Sequence, residues 1–128
     1  MNDKVFVFGS NLAGRHGKGA ALFALKERGA IYGQGIGLQG DSYAIPTKDR
    51  GFKTLPLYHI DGFWKDFCKH ALCSNRAFEI TPFGTGLAGL PKDDIWKMIR
   101  EDFKQINYLK DNLHISDSWF ENGWIPYE

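Results

Sequence analysis

Glycine restricts this chain more than any other residue. Of its 15 glycines, ten fall between Gly9 and Gly51, among them Gly14, Gly17, Gly19, Gly33, Gly35, Gly37 and Gly40. Glycine loses more conformational freedom on folding than any other residue, so this density marks backbone that turns sharply or approaches something closely. Composition alone does not separate those two uses, and a loop-rich domain with many tight turns would show the same count. Position is more informative, because the glycines follow short apolar runs. Lys4 to Phe8 reads as a buried strand. Gly9-Ser10-Asn11 punctuates it, and Gly14-Arg15-His16-Gly17-Lys18-Gly19 extends the loop. A helix is predicted from about Lys18 to Arg28, closed by Gly29, with Ala20, Ala21 and Ala24 small enough to let it lie close on a sheet.

The alternation continues. Ser42 to Pro46 reads as a strand ending at the proline, and Thr47 to Pro56 as a polar connection. Ile60, Phe63, Trp64, Phe67, Ala71 and Leu72 recur at helical spacing, which predicts an amphipathic helix from about Asp61. A third strand is expected over Arg76 to Thr81, then a turn-rich stretch from Pro82 to Gly89. Pro91 suits the first residue of another helix, with Asp93 and Asp94 in its favourable first turn and Ile95, Ile99, Phe103 and Ile106 as its stripe. Leu113 to Ser116 reads as a last strand. Alternating strands and helices predict a layered α/β fold. The aromatic tail over Asp117 to Glu128, with Trp119, Phe120, Trp124 and Tyr127, is expected to pack on a single domain spanning residues 1–128.

Several functional classes fit poorly. A net charge of +1 predicts neither a broad nucleic-acid surface nor a membrane surface. Two cysteines, Cys68 and Cys73, make no disulfide scaffold, and they read as core or near-core thiols of the amphipathic helix. No apolar run reaches the length of a membrane span, and Met1-Asn2-Asp3-Lys4 runs straight into a strand, so a reduced, cytoplasmic domain without a leader is expected. His59, His70 and His114 lack metal-ligand spacing, so no metal is expected.

Three segments follow strands and share one character: Gly9 to Gly19, Pro46-Thr47-Lys48, and Gly84 to Gly89. In open α/β sheets ligands bind beyond the carboxyl ends of the strands, so these loops are expected to line one cleft. The first leads into a helix N-terminus, where free N–H groups favour a phosphate or diphosphate. Successive N–H groups in the third form a candidate anion nest. Neither loop is a P-loop or a G-x-G-x-x-G fingerprint.

Val5-Phe6-Val7-Phe8-Gly9-Ser10-Asn11 followed by Gly17-Lys18-Gly19-Ala20-Ala21 resembles the first strand and glycine-rich loop of macrodomains. Tyr43-Ala44-Ile45-Pro46-Thr47-Lys48 is similar to the Pro-Thr-Lys element of one macrodomain branch. That branch holds the terminal ADP-ribose–glutamate hydrolases and the antitoxins that reverse DNA ADP-ribosylation. Ile80 to Leu90 resembles its phosphate loop. The resemblance implies a small α/β/α three-layer sandwich with a mixed central sheet, lacking an edge strand or helix. It implies ADP-ribose, or a related NAD-derived nucleotide, as ligand, with no cofactor. Gly84, Thr85, Gly86 and Leu87, with Phe83, Ala88 and Gly89 beside them, would then hold the diphosphate and distal ribose. Gly9, Ser10, Asn11, Gly17, Lys18, Gly19 and Ala20 would meet the other side, with Pro46 and Thr47 leading into the cleft. Lys48 matches the lysine that acts on the anomeric carbon in hydrolytic members.

Two departures bear on catalysis. An acidic residue that hydrolases of this branch carry in the phosphate loop is Ala88 here, and a common cysteine is Thr85. Without that acid a general acid/base is missing unless Asp41 or Asp49 replaces it. The early aspartate that reads adenine has no match beyond Asp3. Three functions stay open on sequence: a reader of ADP-ribose-like ligands (free or on an ADP-ribosylated macromolecule), a glycohydrolase using Lys48, and a sponge for an NAD-derived signalling nucleotide. A structural subunit whose glycines are only turns is the fourth. Among single residues, His16 reads as a solvated loop residue. Phe83, Trp119, Phe120 and Trp124 are candidates to stack on adenine, with core packing as their other use.

Overall fold

The computed structural model describes residues 3–126. Strand β1, Val5–Asn11, is central and alternates Val5 and Val7 to one face of the sheet with Phe6 and Phe8 to the other. It continues past the expected end at Phe8, so Gly9, Ser10 and Asn11 belong to the strand. Helix α1 covers Gly19–Glu27, β2 Gly37–Gln39, β3 Ser42–Lys48, α2 Leu57–Leu72, β4 Phe78–Ile80, α3 Lys92–Leu109 and β5 Leu113–Ile115. A 3-10 segment, Asp117–Gly123, follows.

The five strands run β2-β3-β1-β4-β5. Four are mutually parallel, and β2 is antiparallel to β3, so the sheet is mixed as expected. Strand β2 is new relative to the sequence reading, where Gly37-Leu38-Gln39 lay among glycines. Pro46 does not end β3, which runs on to Lys48. Pairing with β2 stops at Ala44, so no ladder partner on that flank needs an N–H from Pro46. Helix α2 likewise begins earlier than expected, at Leu57, directly after Pro56.

Two clusters hold the layers. On one face Ile60, Trp64, Phe67 and Ala71 of α2, with Ile95, Ile99 and Ile106 of α3, pack on Val5, Val7, Ile45, Phe78 and Ile80. Each buried Val, Ile or Phe here contributes roughly 1.5–3 kcal/mol, so this face carries most of the stability. Trp119 is fully buried against it, and Trp96 and Trp124 flank Trp119 with ring centroids at 5.7 and 5.1 Å. Tyr127 and Glu128 lie outside the described residues. On the other face α1 sets only Ala21 and Ala24 against Phe6, Phe8 and Ala44. That layer is thin, and no second helix shares it among the described residues.

Candidate functional site

Because β1, β3, β4 and β5 are parallel, their carboxyl ends open on one edge of the sheet. A cleft of about 1110 Å³ lies there. Gly9, Ser10, Asn11, Gly17, Lys18, Gly19, Ala20, Thr47, Lys48, Phe83, Gly84, Thr85, Gly86, Leu87 and Ala88 all border it. Pro46 and Gly89 are not among the residues that border it. Pro46 is buried opposite Ser10, and the Gly89 N–H closes the loop on the Gly86 carbonyl at 3.0 Å.

The polar side chains of these loops serve the loops themselves. Ser10 Oγ donates to the Gly35 carbonyl at 2.5 Å, and Thr47 Oγ1 to the Ser10 carbonyl at 3.2 Å. Asn11 grips Arg15 twice, Nδ2 donating to its carbonyl at 2.9 Å and Oδ1 accepting its N–H at 3.0 Å. Thr85 Oγ1 donates to the Pro82 carbonyl at 2.7 Å. What the cleft offers instead is backbone and cations. Gly86, Leu87 and Ala88 in succession carry N–H groups with no partner among the described residues. Helix α1 starts at Lys18 without a side-chain cap, and Lys18, Gly19, Ala20 and Ala21 border the cleft. At Gly17 and Gly86 nothing lies within 4 Å of the place a Cβ would occupy.

Charge is unevenly spread. Arg15 and Lys18 stand on the loop after β1 and Lys48 at the end of β3, and none of the three forms an ion pair among the described residues. Glu79, Asp117 and Glu121 border the cleft on β4 and on the segment after β5. Phe6 and Phe23 border it as well, their ring centroids 5.1 Å apart, and Phe23 is 44% exposed. The cleft therefore has cations beside its glycine loops and carboxylates on β4 and after β5, while the Arg28 guanidinium lies over the Phe6 and Phe23 rings at 5.6 and 5.7 Å from their centroids.

Several sequence expectations need correction. His16 is fully buried: its Nε2 lies 2.9 Å from the Gln34 carbonyl and 3.2 Å from Gln39 Oε1, which fixes the β1 loop to the segment before β3. Cys73 is exposed at the end of α2, whereas Cys68 is buried and its thiol is pushed up to about 12 by that burial, far from a reactive thiolate. The Phe83 ring is only 2% exposed and stacks on Trp64, so although the residue borders the cleft its ring is not presented to a ligand. Trp119, Phe120 and Trp124 are not among the cleft residues, and neither is Asp3. Asp41 pairs with Arg76 at 3.0 Å at the opposite end of β3 from Lys48. Asp49 Oδ1 accepts the N–H groups of Gly51 at 2.8 Å and Lys53 at 3.0 Å, so this oxygen shapes a turn. Neither aspartate borders the cleft. Sequence reasoning missed Arg15, Phe52, Phe6, Phe23, Glu79 and the carboxylates after β5. Phe6 carried a signal in its strand alternation; the others come from segments distant in the chain.

Among the described residues no group of three His, Cys, Asp or Glu could hold a metal ion, and no helix is long and apolar enough to cross a membrane. The sequence matches no family model and no curated protein. Among solved structures, the macrodomain of Mycobacterium tuberculosis DarG is similar, with a TM-score of 0.65 and 24% identity over 89% of each chain. The order of elements, the mixed five-stranded sheet between helices and that superposition agree on one architecture: the fold of this chain is that of a macrodomain.

Proposed function

We propose that this chain binds ADP-ribose, or a closely related NAD-derived nucleotide, in the cleft at the carboxyl ends of its parallel strands. The observation that carries the reading is the row of unpartnered N–H groups at Gly86, Leu87 and Ala88, in one cleft with the uncapped start of α1 and three cations without acidic partners. Such a cleft matches a diphosphate, whose oxygens accept from backbone N–H groups and whose charge the cations offset. A volume of about 1110 Å³ is at the upper end for small-molecule sites and suits a dinucleotide-sized ligand. The fold supports the ligand class that the sequence resemblance implies.

In this reading the diphosphate lies between the Gly17–Ala20 and Gly84–Ala88 stretches. The base lies toward Phe23, whose ring carries the Arg28 guanidinium 5.7 Å from its centroid and is still 44% exposed, and Asp117 or Glu121 can accept from an exocyclic amine. Binding is favoured over hydrolysis because no carboxylate of the loops near Lys48 borders the cleft. Ala88 stands in the phosphate loop, and Asp41 and Asp49 lie elsewhere.

Thermal unfolding with ADP-ribose, AMP and NAD tests the reading. ADP-ribose at about 100 times its dissociation constant should add about 2.7 kcal/mol, which is several degrees for a domain of this size. A shift with none of the three nucleotides removes this ligand class. Each sample is also assayed for release of ADP-ribose from an ADP-ribosylated substrate. Release that disappears in Lys48→Ala would replace the reader with a hydrolase, and the expected result is binding without release.

A further inference from the structure

The cleft carries a pair of side chains in contact, one of them among the three cations that offset the diphosphate charge in the reading above. Arg15 stands on the loop after β1, and its guanidinium lies over the Phe52 ring, 5.5 Å from the centroid. Both residues border the cleft, and both are exposed. Arg15 forms no ion pair among the described residues.

Both partners are held from behind. The two hydrogen bonds from the Asn11 side chain fix the Arg15 backbone. Phe52 sits at φ 66°, a left-handed backbone that a bulky residue rarely adopts, and the surrounding turn holds it there. In that turn the Phe52 N–H donates to the Asp49 carbonyl at 3.0 Å and the Asp49 N–H to the Lys53 carbonyl at 2.8 Å, while the Asp49 carboxylate accepts from Gly51 and Lys53. The turn is tied in its own right to the phosphate-loop side. Lys48 bridges to Thr54, and Thr54 Oγ1 donates to the Ala88 carbonyl at 2.8 Å. A continuous path thus runs from Arg15 through Phe52 and Thr54 to Ala88, joining the two glycine loops across the cleft. The guanidinium stands on that path.

We propose that Arg15 is the side-chain ligand for the diphosphate, and that Phe52 is its positioning residue. The inference rests on the nucleotide-binding reading above. A guanidinium held over a ring face by cation–π attraction does not use its N–H groups as hydrogen-bond donors to a partner side chain, and those groups form the forked bonds to phosphoryl oxygens. Phe52 need not touch the ligand: its ring restricts the rotamers of Arg15, which lowers the entropy lost on binding.

Calorimetric titration of the full chain with ADP-ribose, inorganic diphosphate and adenosine tests this. Arg15→Ala should weaken ADP-ribose by about 30-fold and flatten the salt dependence of its binding, while any adenosine binding stays unchanged. Arg15→Lys keeps the charge without the fork and should recover only part of the loss. Phe52→Leu should cost about fivefold in the parent and nothing further in Arg15→Ala, and Phe52→Trp should bind like the parent. Retention of ADP-ribose by Arg15→Ala within about twofold of the parent overturns the assignment of Arg15. An equal cost of Phe52→Leu in both backgrounds overturns its positioning role. A parent that ignores ADP-ribose but binds diphosphate, and loses it in Arg15→Ala, keeps this inference and sinks the ADP-ribose reading. A parent that binds neither sinks both. Should Arg15→Ala fail to fold, Arg15→Lys at two salt concentrations decides: full parental affinity for diphosphate at both overturns the proposal.

Discussion

A methyl group added at Gly35 would be driven into the Asn11 carbonyl oxygen, whereas one added at Gly86 would meet nothing within 4 Å. Gly14 belongs with Gly35, since its Cβ would collide with the backbone of Gly33 and Gln34. Gly17 belongs with Gly86, in open space beside the cleft. One pair of glycines lets two loops pack against each other; the other pair leaves room. The two uses are not independent. The packed pair lies where the loop after β1 meets the segment before β3, and this seam also carries the Ser10–Gly35 bond and buried His16. The tightly packed glycines therefore hold in place the loop from which Gly17 and Arg15 face the cleft.

The largest effect is expected at Gly35. Its obstacle is a backbone oxygen, which cannot rotate aside as a side chain would. Gly35→Ala should lose about 3 kcal/mol or more, a fall in Tm of roughly 10 °C. Denaturant and thermal unfolding together measure this. A variant as stable as the parent would show that the loops slide apart freely and that the seam does not hold the cleft.

Gly86→Val sharpens the contrast from the other side. Nothing lies within 4 Å of a Cβ at this position and its φ is not left-handed, so Tm should stay within about 2 °C of the parent. The isopropyl group would occupy cleft volume beside the unpartnered N–H groups of Leu87 and Ala88. ADP-ribose affinity should fall about 100-fold, or ~2.7 kcal/mol. Unchanged affinity with unchanged stability would move the ligand away from this loop and leave its glycines as turn residues.

Neither pair could be told from the other in the sequence. Clearance around a glycine is set by residues far along the chain, such as Asn11 against Gly35. What was legible followed local physics. The short apolar run of Lys4 to Phe8, the helical spacing of Ile60 to Ala71 and the proline before α3 predicted elements that the structure contains. Strand β2 was not legible because three residues between glycines carry no period. His16 was misread because its acceptors come from residues 18 and 23 positions later. The Arg15–Phe52 contact was invisible for the same reason, and so was the grouping of cleft carboxylates, which depends on β4 and β5 being neighbours. Sequence reading reached the loops that follow the strands. It did not reach which side chains those loops hold for themselves: Asn11 reads as a ligand contact, yet both its amide atoms hold Arg15.

The smallest effect separates the two pairs most finely. Gly17 lies two residues after Arg15 and one before the N-cap of α1, and its Cβ position is open. Gly17→Ala adds a single methyl group at the edge of the cleft, where a ligand can shift slightly rather than be excluded. Its φ lies outside the left-handed region, so alanine adopts that backbone without strain. The fold should be as stable as the parent, or slightly more so, because alanine lowers the entropy of the unfolded chain. Affinity for ADP-ribose should fall only about fivefold, close to 1 kcal/mol. Titration and thermal unfolding on the same sample then give a loss of binding without a loss of stability, the reverse of Gly35→Ala. If Gly17→Ala instead lost stability along with affinity, the loop after β1 would be under tension throughout its length. Gly17 would then belong with Gly14 and Gly35, and only the Gly86 side of the cleft would be built around open space.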